Sequence, residues 1–322
     1  MASMVHKMHP TQWEYTIQYF SHKFKAMGTA CEIQIYAASE SHARHVSNCV
    51  INDVNRLETL YSRYREDSFL STINRHAAIG KKISVDAETA GLLNYAATCY
   101  QQSGGLFDIT SGKLRQAWRF DSGKIPAQSV IDKLLQQIGW DKLDWNPPVL
   151  AFSIPGMEID FGGIVKEYAV DRAASLCIAA GLHHGIINLG GDIKIIGPQA
   201  DGSPWKVGIR HPRKPNAVLQ TLSLTQGALA SSGDYERYIL ADGIRYSHVL
   251  NPQTGWPVRY MSSVSVVGDF CVVAGSASTI AMLMEEKGAE WLASLALPHL
   301  WSNVLGEDGG SLISGGAGDF LV

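Results

Sequence analysis

The chain has no hydrophobic run long enough to cross a membrane, little net charge and few cysteines. A membrane-spanning helix needs roughly 20 consecutive apolar residues, and no stretch approaches that length. The formal net charge of −3 argues against a nucleic-acid-binding protein, which would carry a basic face. The five cysteines are widely scattered and form no CxxC pair, so neither a disulfide framework nor a zinc site is expected.

What is present is typical of a globular protein. Hydrophobic residues make up 46% of the 322 residues and charged residues 18%, enough to build one large domain or two medium ones. The first 22 residues are polar and aromatic, with neither an apolar core nor a lipid-attachment cysteine behind one. They do not resemble an export signal, so a cytoplasmic location is expected. If a native signal has been removed, the expected location is the periplasm, with an inner-membrane anchor.

Local patterns predict the main secondary structure. A strand is predicted over Phe24–Ala37 and a helix over Ser41–Tyr64. A second helix is predicted to be N-capped by Asp86, and a third to open at Pro126 and close at Gly139. The tail from His299 is predicted to form a hairpin, and the glycines at 315–318 a turn.

The densest group of turn-forming and reactive residues runs from Gly227 to Val258. Two strand-like runs flank Asp242-Gly243, a pair that supplies the positive φ angles of a type I′ hairpin turn. This hairpin would place Arg237 across from His248. Two serines and Asp234 precede it, and the turn-forming sequence Asn-Pro-Gln-Thr-Gly follows it. The same features are common in β proteins without chemistry, so this stretch alone does not decide between a site and a scaffold.

Two glycine motifs lie upstream of that stretch. Residues Glu158 to Gly163 are typical of a strand that turns through two glycines into a helix, with Lys166 in its first turn. Free backbone amides at such a helix start bind phosphate, and a lysine adds charge. A plain strand-to-helix connection is the alternative. In the second motif, at residues 185–197, two strands flank a double glycine and Asp192, where a ligand can approach the backbone closely.

The order of these motifs resembles that of the ApbE family of flavin transferases. The resemblance is carried by DFGGIVKEYAVD, INLGGD, GALASSGDYERY and RYSHVLNPQTG, and it extends from about Phe24 to about Met284. It implies a single α+β domain of the T-fold-related type over residues 23–322, after an extension of residues 1–22, with FAD bound in a cleft between two lobes. It also implies an enzyme that cleaves the FAD pyrophosphate, attaches FMN to a Thr or Ser of a target protein and releases AMP, with Mg²⁺ as its metal.

The resemblance assigns roles to individual residues. The positions that match cofactor contacts are Met27, Tyr64, Leu106, Phe107, Asp108, Asp160, Lys166 and Leu250. The positions that match metal ligands are Gly163, through its main-chain oxygen, and Thr279. Four residues before that threonine the family usually has an aspartate, whereas this chain has Gly275. Because a hard cation prefers anionic oxygens, this departure predicts a weakened or altered Mg²⁺ site unless Asp234, Asp160 or the FAD pyrophosphate compensates.

Transfer to a hydroxyl also needs a base for the acceptor's proton. His248 is the best candidate, because imidazole titrates near neutral pH and the hairpin places it beside Ser247 and the Asn-Pro-Gln-Thr-Gly turn. Asp234 is the rival base or a residue of the metal shell. A structural histidine bonded within the hairpin is the alternative interpretation of His248.

Two other functions fit the same residues. One is a non-transferring FAD carrier or electron-transfer protein with a degenerate metal site, which Gly275 favours. The other is an FAD pyrophosphatase, in which water replaces the acceptor and the products are FMN and AMP. The expected partners are FAD and, for a transferase, a target protein that carries the acceptor, with no nucleic acid and no transmembrane segment.

Overall fold

The computed structural model describes residues 17–214 and 216–314, which are built around a large antiparallel sheet. The strands are β1 (Gln18–Ala26), β2 (Thr29–Ala37), β3 (Ile83–Ser84), β4 (Leu143–Asn146), β5 (Val149–Phe152), β6 (Gly185–Leu189), β7 (Asp192–Gly197), β8 (Trp205–Arg210), β9 (Val218–Leu224), β10 (Ala228–Gly233), β11 (Tyr238–Ala241), β12 (Ile244–Ser247), β13 (Met261–Gly268), β14 (His299–Asn303) and β15 (Asp308–Gly309). The helices are α1 (Glu40–Tyr61), α2 (Phe69–Ala78), α3 (Ala87–Gln102), α4 (Gln128–Leu135), α5 (Val165–Ala179), α6 (Cys271–Leu283), α7 (Gly288–Ser294) and α8 (Ser311–Ser314). Short 3-10 helices cover Ile109–Gln116, Trp140–Lys142 and Glu285–Lys287.

The large sheet has eight strands in the order β1-β2-β6-β7-β10-β13-β14-β15, and each pair of neighbours is antiparallel. Alternate residues of its strands point to opposite faces. In β6, Ile187 belongs to the core that contains α1, α5 and α6, whereas Ile186 belongs to a second apolar cluster under the β8–β9 hairpin. Helices therefore cover one face and a hairpin covers part of the other.

A third apolar cluster lies away from the sheet. It joins Leu114 and Trp118 to Ile131 of α4 and to Ile239 of the β11–β12 hairpin. Trp118 donates from Nε1 to the carbonyl oxygen of Gly255 at 2.7 Å, which ties the Asn-Pro-Gln-Thr-Gly turn to this cluster. The cluster forms a second, smaller lobe beside the sheet and its helices.

Several local predictions are confirmed. Asp242 and Gly243 have φ angles of 51° and 75°, and Tyr238–Ala241 pairs with Ile244–Ser247 around them. The backbone N–H of His248 donates to the carbonyl of Arg237 at 3.0 Å, as the hairpin register predicts. Asp86 caps α3 by accepting from the N–H of Thr89 at 2.7 Å. Each of these predictions depends on a turn or cap residue at the end of the element.

Other predictions of local structure are wrong. Phe24–Ala37 is not one strand, because a turn at Met27-Gly28 divides it into β1 and β2. The domain boundary after residue 22 stays a prediction, and β1 extends to both sides of that residue. Residues 158–161 belong to no strand among the described residues, and Asp160 bonds through its N–H to Ile109 at 2.8 Å instead.

Two helices also differ from their predicted bounds, and two predicted segments lie outside the residues that the structure describes. The first helix ends at Tyr61, so Tyr64 lies beyond it. The helix after Pro126 starts at Gln128 and ends at Leu135. The predicted turn at residues 315–318 and residues 1–16 lie outside the described ranges. Within those ranges no helix combines the length and apolarity needed to cross a membrane.

Gly255 offers a test of how tightly the smaller lobe is joined to its turn. Its φ of 73° strains an L-residue, and a Cβ there would collide with the Cγ2 methyl of Ile131. We expect Gly255→Ala to lower the free energy of unfolding by about 2–4 kcal/mol, measured by urea denaturation, from backbone strain and overpacking together. Gly243→Ala is the matched control, because its φ is also positive but no atom lies within 4 Å of the added Cβ. Equal losses in the two variants would contradict the packing part of this explanation.

Candidate active site

The two glycine turns of the large sheet lie side by side. The N–H of Gly190 donates to the carbonyl of Ala30 at 3.0 Å, and a Cβ on Gly190 would approach the hydroxyl of Thr29 to 2.5 Å. The Met27-Gly28 turn, where Met27 is partly buried, is therefore close to Gly190-Gly191 and the Asp192 that follows. Pairing of β2 with β6 brings together two motifs that are about 160 residues apart in the chain.

Asp192 and Lys166 form an ion pair next to these glycine turns. The Nζ atom of Lys166, in the first turn of α5, lies 2.6 Å from Oδ2 of Asp192, and the Asp192 side chain is 3% exposed. Burial opposes protonation of Lys166, but the charges of Asp192 and Glu167 outweigh it and raise the pKa of the lysine. The ammonium is therefore charged at neutral pH and available to an anionic ligand on its exposed side.

Asp160 forms an ion pair with Arg63, a residue that belongs to none of the motifs. Arg63 also donates to the hydroxyl of Tyr64 at 3.0 Å. Arg237 donates to the same hydroxyl at 3.1 Å, so the loop after α1 is bonded to the start of the β11–β12 hairpin. Partial desolvation opposes ionisation of Tyr64, but these two hydrogen bonds lower the pKa of its phenol overall. Tyr64 remains 72% exposed, as an aromatic available for stacking would be.

His248 lies next to these arginines. Solvent reaches its side chain, yet enough protein surrounds it that desolvation lowers the pKa of its imidazole from 6.5. A hydrogen bond to Arg237 partly offsets this change, and the positive charges of Arg237 and Arg63 add to it. The imidazole is therefore neutral at pH 7 and accessible, which are the two properties a general base needs.

The carboxylate of Asp234 is engaged by arginines. Its buried carboxylate accepts two hydrogen bonds of 2.6 Å from Arg213, and Arg245 lies 3.7 Å away. Both of its carboxylate oxygens are therefore occupied by one guanidinium. The role of Asp234 as a rival base or a residue of the metal shell stays a prediction, and this geometry favours His248 as the base. Asp234 fixes the chain between β10 and the hairpin that carries His248.

Asp108 is likewise occupied inside the protein. Its carboxylate accepts hydrogen bonds from the N–H and hydroxyl of Thr110 and from the N–H of Trp140, at 2.7 to 2.9 Å. Burial raises the pKa of this carboxyl above its ordinary value. These bonds show that Asp108 shapes the loop, and its predicted hydrogen bond to the flavin stays a prediction.

The neighbouring apolar positions border the same region. Phe107 is buried, and a Cβ on Gly163 would lie 3.3 Å from its ring, so the 106–108 loop packs against the turn that starts α5. Leu106 is partly buried. Leu250 is partly buried against the third apolar cluster and pairs with Pro257 across the Asn-Pro-Gln-Thr-Gly turn. These side chains lie where the smaller lobe meets the helical face of the sheet.

Of the positions assigned to the metal, Gly163 lies in the turn before α5, and Gly275 and Thr279 lie on α6. Gly275 and Thr279 are four residues apart on α6 and so share a face. The hydroxyl of Thr279 lies 2.9 Å from that of Ser232 on β10. A Cβ on Gly275 would lie 2.5 Å from Cγ of Glu167, the residue after Lys166. Among residues 17–214 and 216–314, no group of three or more His, Cys, Asp or Glu side chains is arranged to hold a metal ion by itself.

Proteins of a known family are similar to this chain over most of its length. The ApbE family model matches residues 27–301 of this chain. The chain belongs to the ApbE family. An FAD:protein FMN transferase from Vibrio cholerae is 31% identical over 246 residues, which are 74% of this chain and 73% of the relative. A protein of the same description from Haemophilus influenzae is 29% identical over 284 residues, with 83% and 81% covered.

Solved ApbE structures have the same fold. The crystal structure of the ApbE protein from Thermotoga maritima superposes with a TM-score of 0.84 at 29% identity, covering 92% of this chain and 98% of that one. The flavin transferase ApbE from Vibrio cholerae superposes with a TM-score of 0.81 at 25% identity, covering 92% and 98%. The predicted α+β fold of the ApbE type is therefore confirmed.

Sequence reasoning missed three charged residues of this ApbE site. Arg63 is 97 residues away from its partner Asp160, and Arg213 is 21 residues away from Asp234. Glu167 was passed over, although a carboxylate next to Lys166, together with the missing aspartate at 275, was a signal that could have identified it. Burial and the nearby charge of Asp192 raise the pKa of Glu167.

Proposed function

We propose that this chain is an FAD:protein FMN transferase that attaches FMN to a threonine or serine of a target protein. The observation that carries the proposal is that side-chain contacts join residues of motifs that lie far apart in the chain. Arg63 joins Asp160 to Tyr64, and Tyr64 is bonded to the hairpin that carries His248. On the other side, Lys166 joins α5 to Asp192 at the glycine turn. Relatives that cover most of this chain carry the same activity in their names.

The chemistry is phosphoryl transfer from FAD to a hydroxyl. The acceptor oxygen attacks the phosphorus on the FMN side, its bond to that phosphorus forms, and the bond from that phosphorus to the bridging oxygen breaks. AMP leaves, and the acceptor's proton passes to Nδ1 or Nε2 of His248. Lys166 and the arginines at 63 and 237 place positive charge beside the pyrophosphate, which stabilises the charge that develops on the departing oxygen.

A divalent cation fits the residues at the start of α5 and on α6. Oε2 of Glu167 and Oδ2 of Asp192 are buried and make no hydrogen bond to any described residue, although Lys166 is in ion-pair contact with Asp192. Mg²⁺ takes one or two protein carboxylates together with substrate phosphates, so such oxygens suit it. The hydroxyl of Thr279 and the main-chain oxygen of Gly163 would complete the protein's share. When bound, the cation would neutralise charge on the pyrophosphate.

Product analysis separates transfer from the two alternatives. The full chain is incubated with FAD and Mg²⁺, with and without a threonine peptide, and FAD, FMN and AMP are separated by chromatography. A transferase releases AMP only when the peptide is present. AMP and free FMN without a peptide would identify the pyrophosphatase, and intact FAD under both conditions would favour the carrier.

A further inference from the structure

The space beside Gly275 is already filled by a carboxylate from another helix. An ideal Cβ on Gly275 would lie 2.5 Å from Cγ, 3.1 Å from Cδ and 3.2 Å from Oε1 of Glu167. Carbon atoms that are not bonded stay well beyond 3 Å apart, so an aspartate at 275 and a glutamate at 167 cannot both occupy this volume. The loss of a side chain on α6 is thus matched by a longer acidic side chain on α5.

The Glu167 carboxylate has no other evident task within the described residues. It is buried and its Oε2 makes no hydrogen bond there, whereas Oδ2 of the neighbouring Asp192 lies 2.6 Å from the Lys166 ammonium. Glu158, another buried acid, accepts from Arg115 and Gln116. Leaving a carboxylate oxygen unsatisfied in the interior is costly. Because the Lys166 ammonium is in contact with Asp192, the free oxygen of Glu167 indicates a further positively charged partner.

The surroundings of Glu167 supply further oxygen ligands. Gly275 lies one helical turn before Thr279, whose hydroxyl is 2.9 Å from that of Ser232. Asp192 follows the glycine turn of the sheet, and the N–H of Ser231 approaches its Oδ1 at 3.4 Å. Two carboxylates and two hydroxyls are therefore carried by neighbouring elements, α5, α6, β7 and β10, with the Lys166 ammonium in contact with Asp192.

We propose that Glu167 supplies the carboxylate ligand of the divalent cation, in place of the aspartate that the family resemblance assigns to position 275. The carboxylate has moved from α6 to α5 while keeping its place in the site. This inference rests on the proposed function only in its choice of ligand class. It also revises the expectation from the sequence, because the departure at Gly275 relocates a ligand and does not remove one.

The test is a titration of the full chain, loaded with FAD, with Mn²⁺, following free Mn²⁺ by electron paramagnetic resonance. Glu167→Gln keeps the shape of the side chain and removes its charge, and we expect it to weaken Mn²⁺ binding at least about tenfold. The double variant Glu167→Gly/Gly275→Asp returns the carboxylate to α6 and should recover most of the affinity. Glu158→Gln, a buried glutamate engaged elsewhere, should bind Mn²⁺ as the unmodified chain does.

Three results would overturn the proposal. They are the absence of Mn²⁺ binding by the unmodified chain, an unchanged affinity in Glu167→Gln, and a folded double variant that fails to recover the affinity. Melting temperatures establish folding in every variant. In Gly275→Asp alone the two carboxylates compete for one volume, so a lower melting temperature is expected. The titration requires no acceptor and no turnover, so Mn²⁺ binding through Glu167 without FMN transfer would contradict only the proposed function.

Discussion

Replacing His248 with alanine is expected to lower kcat for FMN transfer by about 10²–10⁴-fold, the usual contribution of a general base. The Kd for FAD should be unchanged, because the imidazole acts on the acceptor's proton and not on FAD. The backbone N–H that bonds to Arg237 is retained in the variant. Single-turnover transfer to a threonine peptide measures the rate, and quenching of flavin fluorescence measures FAD binding. His183→Ala, at an exposed residue in the loop before β6, is the matched control and should keep full activity.

The pH profile gives an independent check on the same residue. Desolvation lowers the pKa of His248 from 6.5, so the imidazole stays neutral to a lower pH than a free histidine does. A base works in its neutral form, and activity is therefore expected to be constant at neutral pH and to fall only as the pH drops below 6.5. His248→Ala should lose this acidic limb of kcat/KM. A limb with its midpoint above 6.5, or one that persists in the variant, would show that another group titrates.

The second large effect concerns stability. Lys166→Met is expected to lower the free energy of unfolding by about 2–4 kcal/mol, because it leaves the Asp192 carboxylate buried without its cation. Loss of a fully buried partner costs about 3–5 kcal/mol, but the lysine side chain is 32% exposed and water already screens part of the interaction. Urea denaturation measures the change, and FAD affinity should fall with it.

Two further variants show whether the ion pair is the cause. The double variant Lys166→Met/Asp192→Asn removes both charges and should recover most of the lost stability. Lys23→Met removes a lysine that is 79% exposed, with its nearest acid 4.0 Å away, and should change stability by less than about 0.5 kcal/mol. If the single and double variants lose the same free energy of unfolding, the packing of the lysine's aliphatic chain, and not its charge, stabilises the protein here.

Much of the fold could be predicted because its signals are local. The hairpin at Asp242-Gly243, the double-glycine turn before Asp192 and the cap at Asp86 each depend on a few adjacent residues. The turn at Met27-Gly28 was not predicted because its first residue is a methionine with a φ of 51°. Residues other than glycine rarely adopt a positive φ, so the sequence gives no sign of it. The segment at 158–161 has the composition of a strand, but it bonds to Ile109 outside any sheet.

The candidate site could be located from motifs, but its internal pairing could not. Asp108, Asp160 and Asp234 look alike in sequence, yet the first is bonded to Thr110 and Trp140 and the other two are bonded to arginines elsewhere in the chain. Those contacts depend on how helices and strands meet in space. Glu167 illustrates the same limit, since only the packing of α5 on α6 places its carboxylate at Gly275.

The measurement that tests the central claim most directly is the mass of an acceptor peptide after incubation with the full chain and FAD. A parallel reaction with the Vibrio cholerae relative serves as the positive control, and a peptide that gains FMN in that reaction is used for the test. We predict that the peptide gains the mass of one FMN moiety in the presence of Mg²⁺, with release of AMP, and gains nothing in EDTA or with His248→Ala. An unmodified peptide in Mg²⁺, with FAD bound and intact, would contradict the account.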